Sequence, residues 1–261
     1  MNELVISEEQ LMQFIGQYLW PMLRISAFYF AVPMIGARTV PARVRIILAL
    51  FTTILLVPLL PPAPIISILS LEALVLVVKE VVIGLAMGFM LQVVLHVFVL
   101  AGQFIAMKMG LGFAAMNDPS SGVSVTVLSQ FYLLLSTLLL FAMDGHIVII
   151  QMLIDSFFTL PISGPGLSAE HLLGIVSLGS WMFNIGLVIS LPLFTALLIV
   201  NMSFGVMSRS APQMNVFTVG FPITLILGLF LMWASLANFL PLFETIIEDG
   251  FFLVRNIMGM S

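Results

Sequence analysis

HLLGIVSLGSWMFNIGLVISLPLFTALLIVNMSFGVMS at residues 171–208 and SAPQMNVFTVGFPITLILGLFLMWASLANFLPLF at residues 210–243 contain, between them, one ionisable side chain, the opening His171. A hydrocarbon core about 30 Å thick takes roughly 20 apolar helical residues to cross. Each stretch therefore holds a complete span with residues to spare, and its Leu, Ile, Val, Phe and Met content suits an apolar surrounding rather than water.

The rest of the chain agrees. Of 261 residues, 61% are hydrophobic and 8% charged, against roughly 25% charged in a soluble domain, and the mean hydropathy is +1.24. A soluble domain is excluded. The absence of cysteine removes disulfide frameworks, thiol catalysis and cysteine-bound metals. The 12 acids and 8 bases form no run of either sign, so no polybasic footprint for nucleic acid or anionic lipid exists. Glu3, Glu8 and Glu9 stand where a signal peptide carries bases, which predicts an uncleaved N-terminus.

Six apolar blocks can be drawn, at 11–35, 46–60, 71–100, 123–143, 172–207 and 214–240, with a shorter seventh element at 147–160 after the Asp144-Gly145 break. Helices are expected throughout, because an open strand leaves its backbone unsatisfied in lipid and runs such as LLLSTLLLF lack the alternation of a membrane barrel. The expected fold class is all-α and membrane-associated. Arg38, Arg43, Arg45, Lys108 and Arg209 fall in alternate connections, while residues 61–70 and 144–171 carry no Lys or Arg. The positive-inside rule then predicts six spans with the N-terminus outside.

Several residues strain that picture. Arg24 lies within the first block beside Pro21, Lys79 and Glu80 lie inside the third, and Asp155 lies in the seventh element. A charge at the centre of a lipid-exposed helix costs about 2.5 to 3.5 kcal/mol, so these side chains should face protein or water. Arg24, Lys79, Glu80, Asp155 and Arg209 are candidates for ion pairs between subunits; for Lys79 and Glu80, snorkelling to an interface is the equal alternative. Pro21, Pro33, Pro58, Pro192 and Pro222 are expected to break or end helices, and the whole pattern predicts burial in an assembly.

Catalysis finds no support. Asp144 and Asp155 are the best acid pair, but eleven residues of helix rise about 16 Å, too far for two carboxylates to share a proton. His96, His146 and His171 have no ligand spacing, and no H-E-x-x-H, G-x-S-x-G or Walker-type loop occurs. Neither an enzyme activity nor a metal or cofactor is expected.

GQFIAMKMGLGFAAMNDPSSG at residues 102–122 carries the remaining signal. Gly102, Ala106, Gly110 and Ala114 recur every four residues, a face that admits another backbone closely. Phe104, Met107, Met109, Phe113 and Met116 bring bulky apolar groups, of which the methionines adapt to irregular partners; an ordinary helix interface or a flexible seal would both use them. The run from Asn117 to Gly122 stops a helix with turn residues. A second break is expected in RSAPQMNVFTVGFPITLILG, residues 209–228, where Gly220-Phe221-Pro222 predicts a kinked hairpin.

These segments, with MDGHIVIIQMLIDSFFTLP at 143–161 and RTVPARVRIILAL at 38–50, resemble in order and over essentially the whole chain the FliR family of type III secretion export-gate subunits. The flagellar branch is favoured over the injectisome branch. The resemblance implies kinked helical hairpins, with residues 1–160 similar to FliP and 161–261 similar to FliQ. It also implies a single copy joining FliP and FliQ homologues in a helical gate in the inner membrane at the flagellar basal body, with FlhB and FlhA as further partners and unfolded flagellar subunits as cargo.

By position, residues 106–122 match the family's plug loop. The resemblance then assigns Met107, Met109, Phe113 and Met116 to the closed-state seal and Gly110, Gly112 and Gly122 to its displacement, with Gly102, Ala106 and Ala114 as subunit-packing positions. Two other classes remain as alternatives. A small-solute transporter would use Lys79, Glu80, Asp144 and Asp155 as a coupling pathway, although the inverted repeat it calls for is not evident; a purely structural scaffold would need no loop function.

Overall fold

The computed structural model describes residues 8–36, 40–67, 70–111, 126–210 and 216–260. Every regular element among them is helical. Helix α1 spans Glu8–Ala31 and carries Pro21 inside it; α2, Ala42–Leu56, runs into a 3₁₀ turn at Val57–Leu59 that holds Pro58. Helix α3, Leu71–Lys108, starts where the Ser70 hydroxyl accepts the Ala73 amide, the ordinary use of a serine ahead of a helix. Helix α4 is Val127–Ala142, its N-cap Thr126 accepting from the Ser129 amide, and α5 is Gly145–Thr159.

Asp144 separates α4 from α5 in the left-handed region, at φ 57, a conformation that Asp tolerates better than most residues. Leu160 ends α5 because Pro161 disfavours a helical residue before it. Helix α6, Ala169–Ser210, contains Pro192; α7, Val216–Ser235, contains Pro222; a 3₁₀ turn at Leu236–Asn238 then leads into α8, Phe239–Ile257.

Three of the expected breaks do not occur, the first at Pro21 within α1. Helices α6 and α7 run through Pro192 and through Gly220-Phe221-Pro222 without interruption. A proline removes one backbone bond and crowds the carbonyl four residues back, and each helix is carried past it by the bonds on either side. Thr195 donates to the Leu191 and Pro192 carbonyls, and Thr224 to that of Phe221. Pro33 and Pro58, by contrast, do lie in turns at helix ends.

The six-span expectation is corrected. Among the described residues four helical stretches are long and apolar enough to cross a membrane, Ala42–Leu59, Leu71–Lys108, Ala169–Arg209 and Gly220–Ile257, or five if the broken pair α4 and α5 counts as one span. Helix α1 is not among them. With 38 and 42 residues, α3 and α6 are about 57 and 63 Å long, roughly twice a hydrocarbon core.

The chain divides into two compact units. Residues 1–93, 144–178 and 250–261 form one; 94–143 and 179–249 form the other. In the first, α3 meets α1 through Gly84 and Gly88, where an added Cβ would lie 2.3 Å from the Arg24 carbonyl oxygen and 2.6 Å from the Ala31 Cβ. Trp20, Ile25, Phe28, Ile83 and Met87 are buried around that crossing. In the second, Phe98 stands 5.7 and 5.3 Å from the rings of Phe239 and Phe243, and Tyr132 is 5.6 Å from Phe239. Such an aromatic cluster joins α3, α4 and α8 by area and by edge-to-face contact.

Candidate functional site

Between α3 and α4, residues 112–125 lie outside the described residues, and the positions on either side of them are well defined. Helix α3 ends in a Schellman cap: the Gly110 amide donates to the Met107 carbonyl and the Leu111 amide to the Ala106 carbonyl, with Gly110 at φ 81. This left-handed position is where helices take glycine. The far end returns at Thr126, whose amide donates to Gln103 Oε1 at 3.4 Å, while the Ser129 hydroxyl donates to the same oxygen at 3.0 Å. Both flanks are therefore tied to the last turns of α3.

Side chains from two further helices fix the end of α3. The Lys108 ammonium lies 4.2 Å from the centroid of the Phe194 ring on α6, and Asn201 Nδ2 donates to the Lys108 carbonyl. Met109 is fully buried. Its side chain lies directly on Gly228 of α7, where an added Cβ would be 2.6 Å from Met109 Cγ; at Gly110 an added Cβ would be 2.9 Å from the Phe221 ring. Met107, two residues earlier, points the other way and is 59% exposed. Gly112, Phe113, Ala114, Met116 and Gly122 lie outside the described residues.

The small-residue face is used differently from the expectation. Gly102 was expected to meet another subunit, yet an added Cβ there would lie 2.9 Å from Ser129 Cα and 3.1 Å from the Leu128 carbonyl oxygen of this chain's own α4. Ala106 is fully buried within the chain. At these two positions the close approach serves internal packing, because α3 and α4 are neighbours on either side of the loop.

The charges are also satisfied at home. Arg24 and Glu80 were expected to pair between subunits; instead Arg24 Nε donates to Glu80 Oε2 at 2.7 Å, and both side chains are fully buried in one chain. The guanidinium uses its remaining donors on the C-terminal end of α5. It reaches the Ser156 carbonyl at 2.8 Å and the Leu160 carbonyl at 2.8 Å, with its Cζ 4.3 Å from the centroid of the Phe157 ring.

Lys79 does not snorkel. Its ammonium donates to the carbonyls of Ile162 and Gly164, in the turn after α5. Two cations thus close the C-terminal end of one helix, where the backbone dipoles favour positive charge. Asp155 is half-buried in α5 and Arg209 is exposed in the last turn of α6.

Gly84 and Gly88, at the same four-residue spacing as the face at 102–114, escaped the sequence reading because they sit inside a block taken only as a span. So did α8. Its buried Phe243, Ile246, Ile247, Phe251 and Val254 repeat with helical period, while Glu248 and Asp249 are exposed.

Long apolar helices and internally closed charges define an all-α protein of membrane type. Comparison with known proteins gives its family: residues 15–250 match the model of the bacterial export proteins, family 1, and the chain belongs to that family. It is similar to the flagellar biosynthetic protein FliR of Escherichia coli K12, 37% identical over 98% of each chain, and to that of Pectobacterium carotovorum, 34% identical over 98% of this chain and 97% of the other. The FliR of Bacillus subtilis is 25% identical over 93% of this chain and 95% of its own. The family resemblance read from the motifs is the family found.

Proposed function

We propose that this chain is a non-enzymatic subunit of the flagellar protein export gate, in the inner membrane at the basal body, and that the loop at 106–122 plugs the gate when it is closed. FliP and FliQ homologues complete the gate, FlhB and FlhA adjoin it, and unfolded flagellar subunits pass through it. Residues 1–160 take the FliP-like place and 161–261 the FliQ-like place. Export draws its energy from other components, since the chain carries no nucleotide-binding motif.

The observation that supports this reading is the pair of flanks, Leu111 in the cap of α3 and Thr126 bonded to Gln103, both fixed on the last turns of one helix. An anchored loop can occlude a passage and be pushed aside without unravelling its supports. Helices twice as long as a bilayer core, with exposed apolar side chains such as Leu74, Val176 and Ile199, also suit burial among sister subunits. Met107, Phe113 and Met116 form the seal, with Gly112 and Gly122 allowing its displacement; Met109 and Gly110, which the resemblance also assigns to the plug, are taken up by packing on Gly228 and by the cap of α3.

Removing residues 112–116, which spares the Gly110 cap, tests the proposal. The variant is expected to co-purify with FliP and FliQ homologues at the normal yield and to make the resting membrane leak ions. A normally assembled variant with a tight membrane would sink the plug assignment.

A further inference from the structure

We infer that the outward stripe of α6 is a docking seam for one long apolar helix of a different subunit, anchored at Asn184 by a side-chain hydrogen bond. This rests on the gate-subunit reading and deepens it. Gly186, Leu193 and Leu197 are buried on one side of α6. On the opposite side Leu173, Val188, Leu191, Leu198, Met202 and Val206 are all exposed, a stripe of helical period about 50 Å long. A hydrocarbon core of about 30 Å does not cover that length, since even at a tilt of about 40° the stripe still spans about 38 Å along the bilayer normal. Water is a poor solvent for the remainder. Protein is the cover that fits the whole stripe.

The polar residues on the stripe say what kind of helix it takes. Two of its hydroxyls are satisfied by α6 itself: Ser177 donates to the Gly174 carbonyl, and Thr195 to those of Leu191 and Pro192. The helix's other amide, Asn201, donates to the Lys108 carbonyl. Asn184, and Ser180 one turn before it, are exposed and have no side-chain partner among the described residues. An amide set among apolar neighbours needs a hydrogen-bonding group across the seam. The two ends of the stripe carry opposite charges, Glu170 in the first turn and Arg209 in the last, both exposed and without an ion pair among the described residues. The occupant is therefore an apolar helix with a base beside Glu170, an acid beside Arg209 and an amide or hydroxyl side chain opposite Asn184. A second copy of this chain, inserted in the same orientation, would set Glu170 against Glu170 and Arg209 against Arg209, and so does not fit.

The test uses the full chain, co-expressed with its FliP and FliQ homologues, in its membrane. Photo-reactive benzoylphenylalanine in place of Leu191 is expected to cross-link to a different subunit. The adduct peptide, read by mass spectrometry, should come from an apolar helix with a base toward one end and an acid toward the other. Lipid adducts alone, or a cross-linked dimer of this chain, overturn the seam.

Asn184 provides an independent arm whose sign separates protein from lipid. On a lipid-covered face Asn184→Leu would be neutral or favourable, because leucine is at home in hydrocarbon. The seam predicts the opposite: partner retained on purification in detergent falls roughly three- to ten-fold, while the chain's own level in membranes is unchanged because the side chain is exposed in it. Asn184→Gln, which keeps the amide, should recover most of the loss. Equal or higher retention in Asn184→Leu overturns the anchor. The plug is judged apart from the seam, since a tight 112–116 deletion sinks the plug and leaves both of these readouts standing. A wild-type chain that retains neither homologue sinks the gate reading, and the Leu191 cross-link to a helix of another subunit still decides the seam.

Discussion

Replacing Arg24 by methionine should destabilise the chain more than replacing Arg24 and Glu80 together. In Arg24→Met the Glu80 carboxylate keeps its fully buried place between α1 and α3 and loses the 2.7 Å donor that compensates it. Removing one partner of a buried pair costs about 3 to 5 kcal/mol. The Leu160 carbonyl also loses its 2.8 Å donor, for about 1 to 3 kcal/mol. Ser156 suffers less, because its carbonyl still accepts the Leu160 amide within α5.

The double variant Arg24→Met, Glu80→Met carries only the Leu160 term, since no charge is left buried. About 3 to 5 kcal/mol should therefore return on adding the second substitution, a factor of roughly a hundred or more in a folding equilibrium. Glu80→Met alone strands the guanidinium and should fall near the other single variant. The measurement is a double-mutant cycle on thermal aggregation of the purified complex in detergent, with abundance in the membrane fraction as a parallel readout. Additive losses, or a double variant less stable than Arg24→Met, would refute the claim that this pair closes inside one chain.

The other predictions concern glycine and lysine. Gly84→Ala should lower the amount of chain recovered from membranes, because its Cβ would sit 2.3 Å from the Arg24 carbonyl oxygen. Gly179→Ala, with nothing within 4 Å, should be neutral or stabilising by about 0.5 to 1 kcal/mol; equal recoveries for the two would refute the close α1–α3 crossing. Lys79→Met frees the Ile162 and Gly164 carbonyls and should speed limited proteolysis in the turn at 161–168. An unchanged cleavage rate there would show that the ammonium does not hold the turn.

The apolar elements were legible because a long charge-free run has few alternatives to a helix. The blocks at 46–60, 71–100, 147–160 and 172–207 correspond to α2, α3, α5 and α6. Helix α8 was lost to the same criterion. Glu244, Glu248, Asp249 and Arg255 end any apolar run, although the period of its buried residues was there to be counted. The prolines inside helices were misread for a different reason: a proline costs one backbone bond, and Pro21, Pro192 and Pro222 each lie in a helix of 20 residues or more whose remaining bonds carry it through.

Arg24 and Glu80 mark the point at which sequence pattern stops deciding structure. A charge in an apolar block announces that it needs a partner, but 56 residues separate these two, and nothing in their spacing says that α1 and α3 cross there. The crossing is made by Gly84, one helical turn from Glu80, so the glycine that admits α1 also brings the guanidinium to the carboxylate. With that pair closed internally, these charges give the chain no reason to seek a neighbour. What remains is the apolar surface: Leu71, Leu173 and Val176 are at least 70% exposed on helices too long for a bilayer core. In the proposed gate, association with sister subunits would be driven by buried area and helix packing, and removing a charge should weaken the fold of this chain before it weakens the assembly.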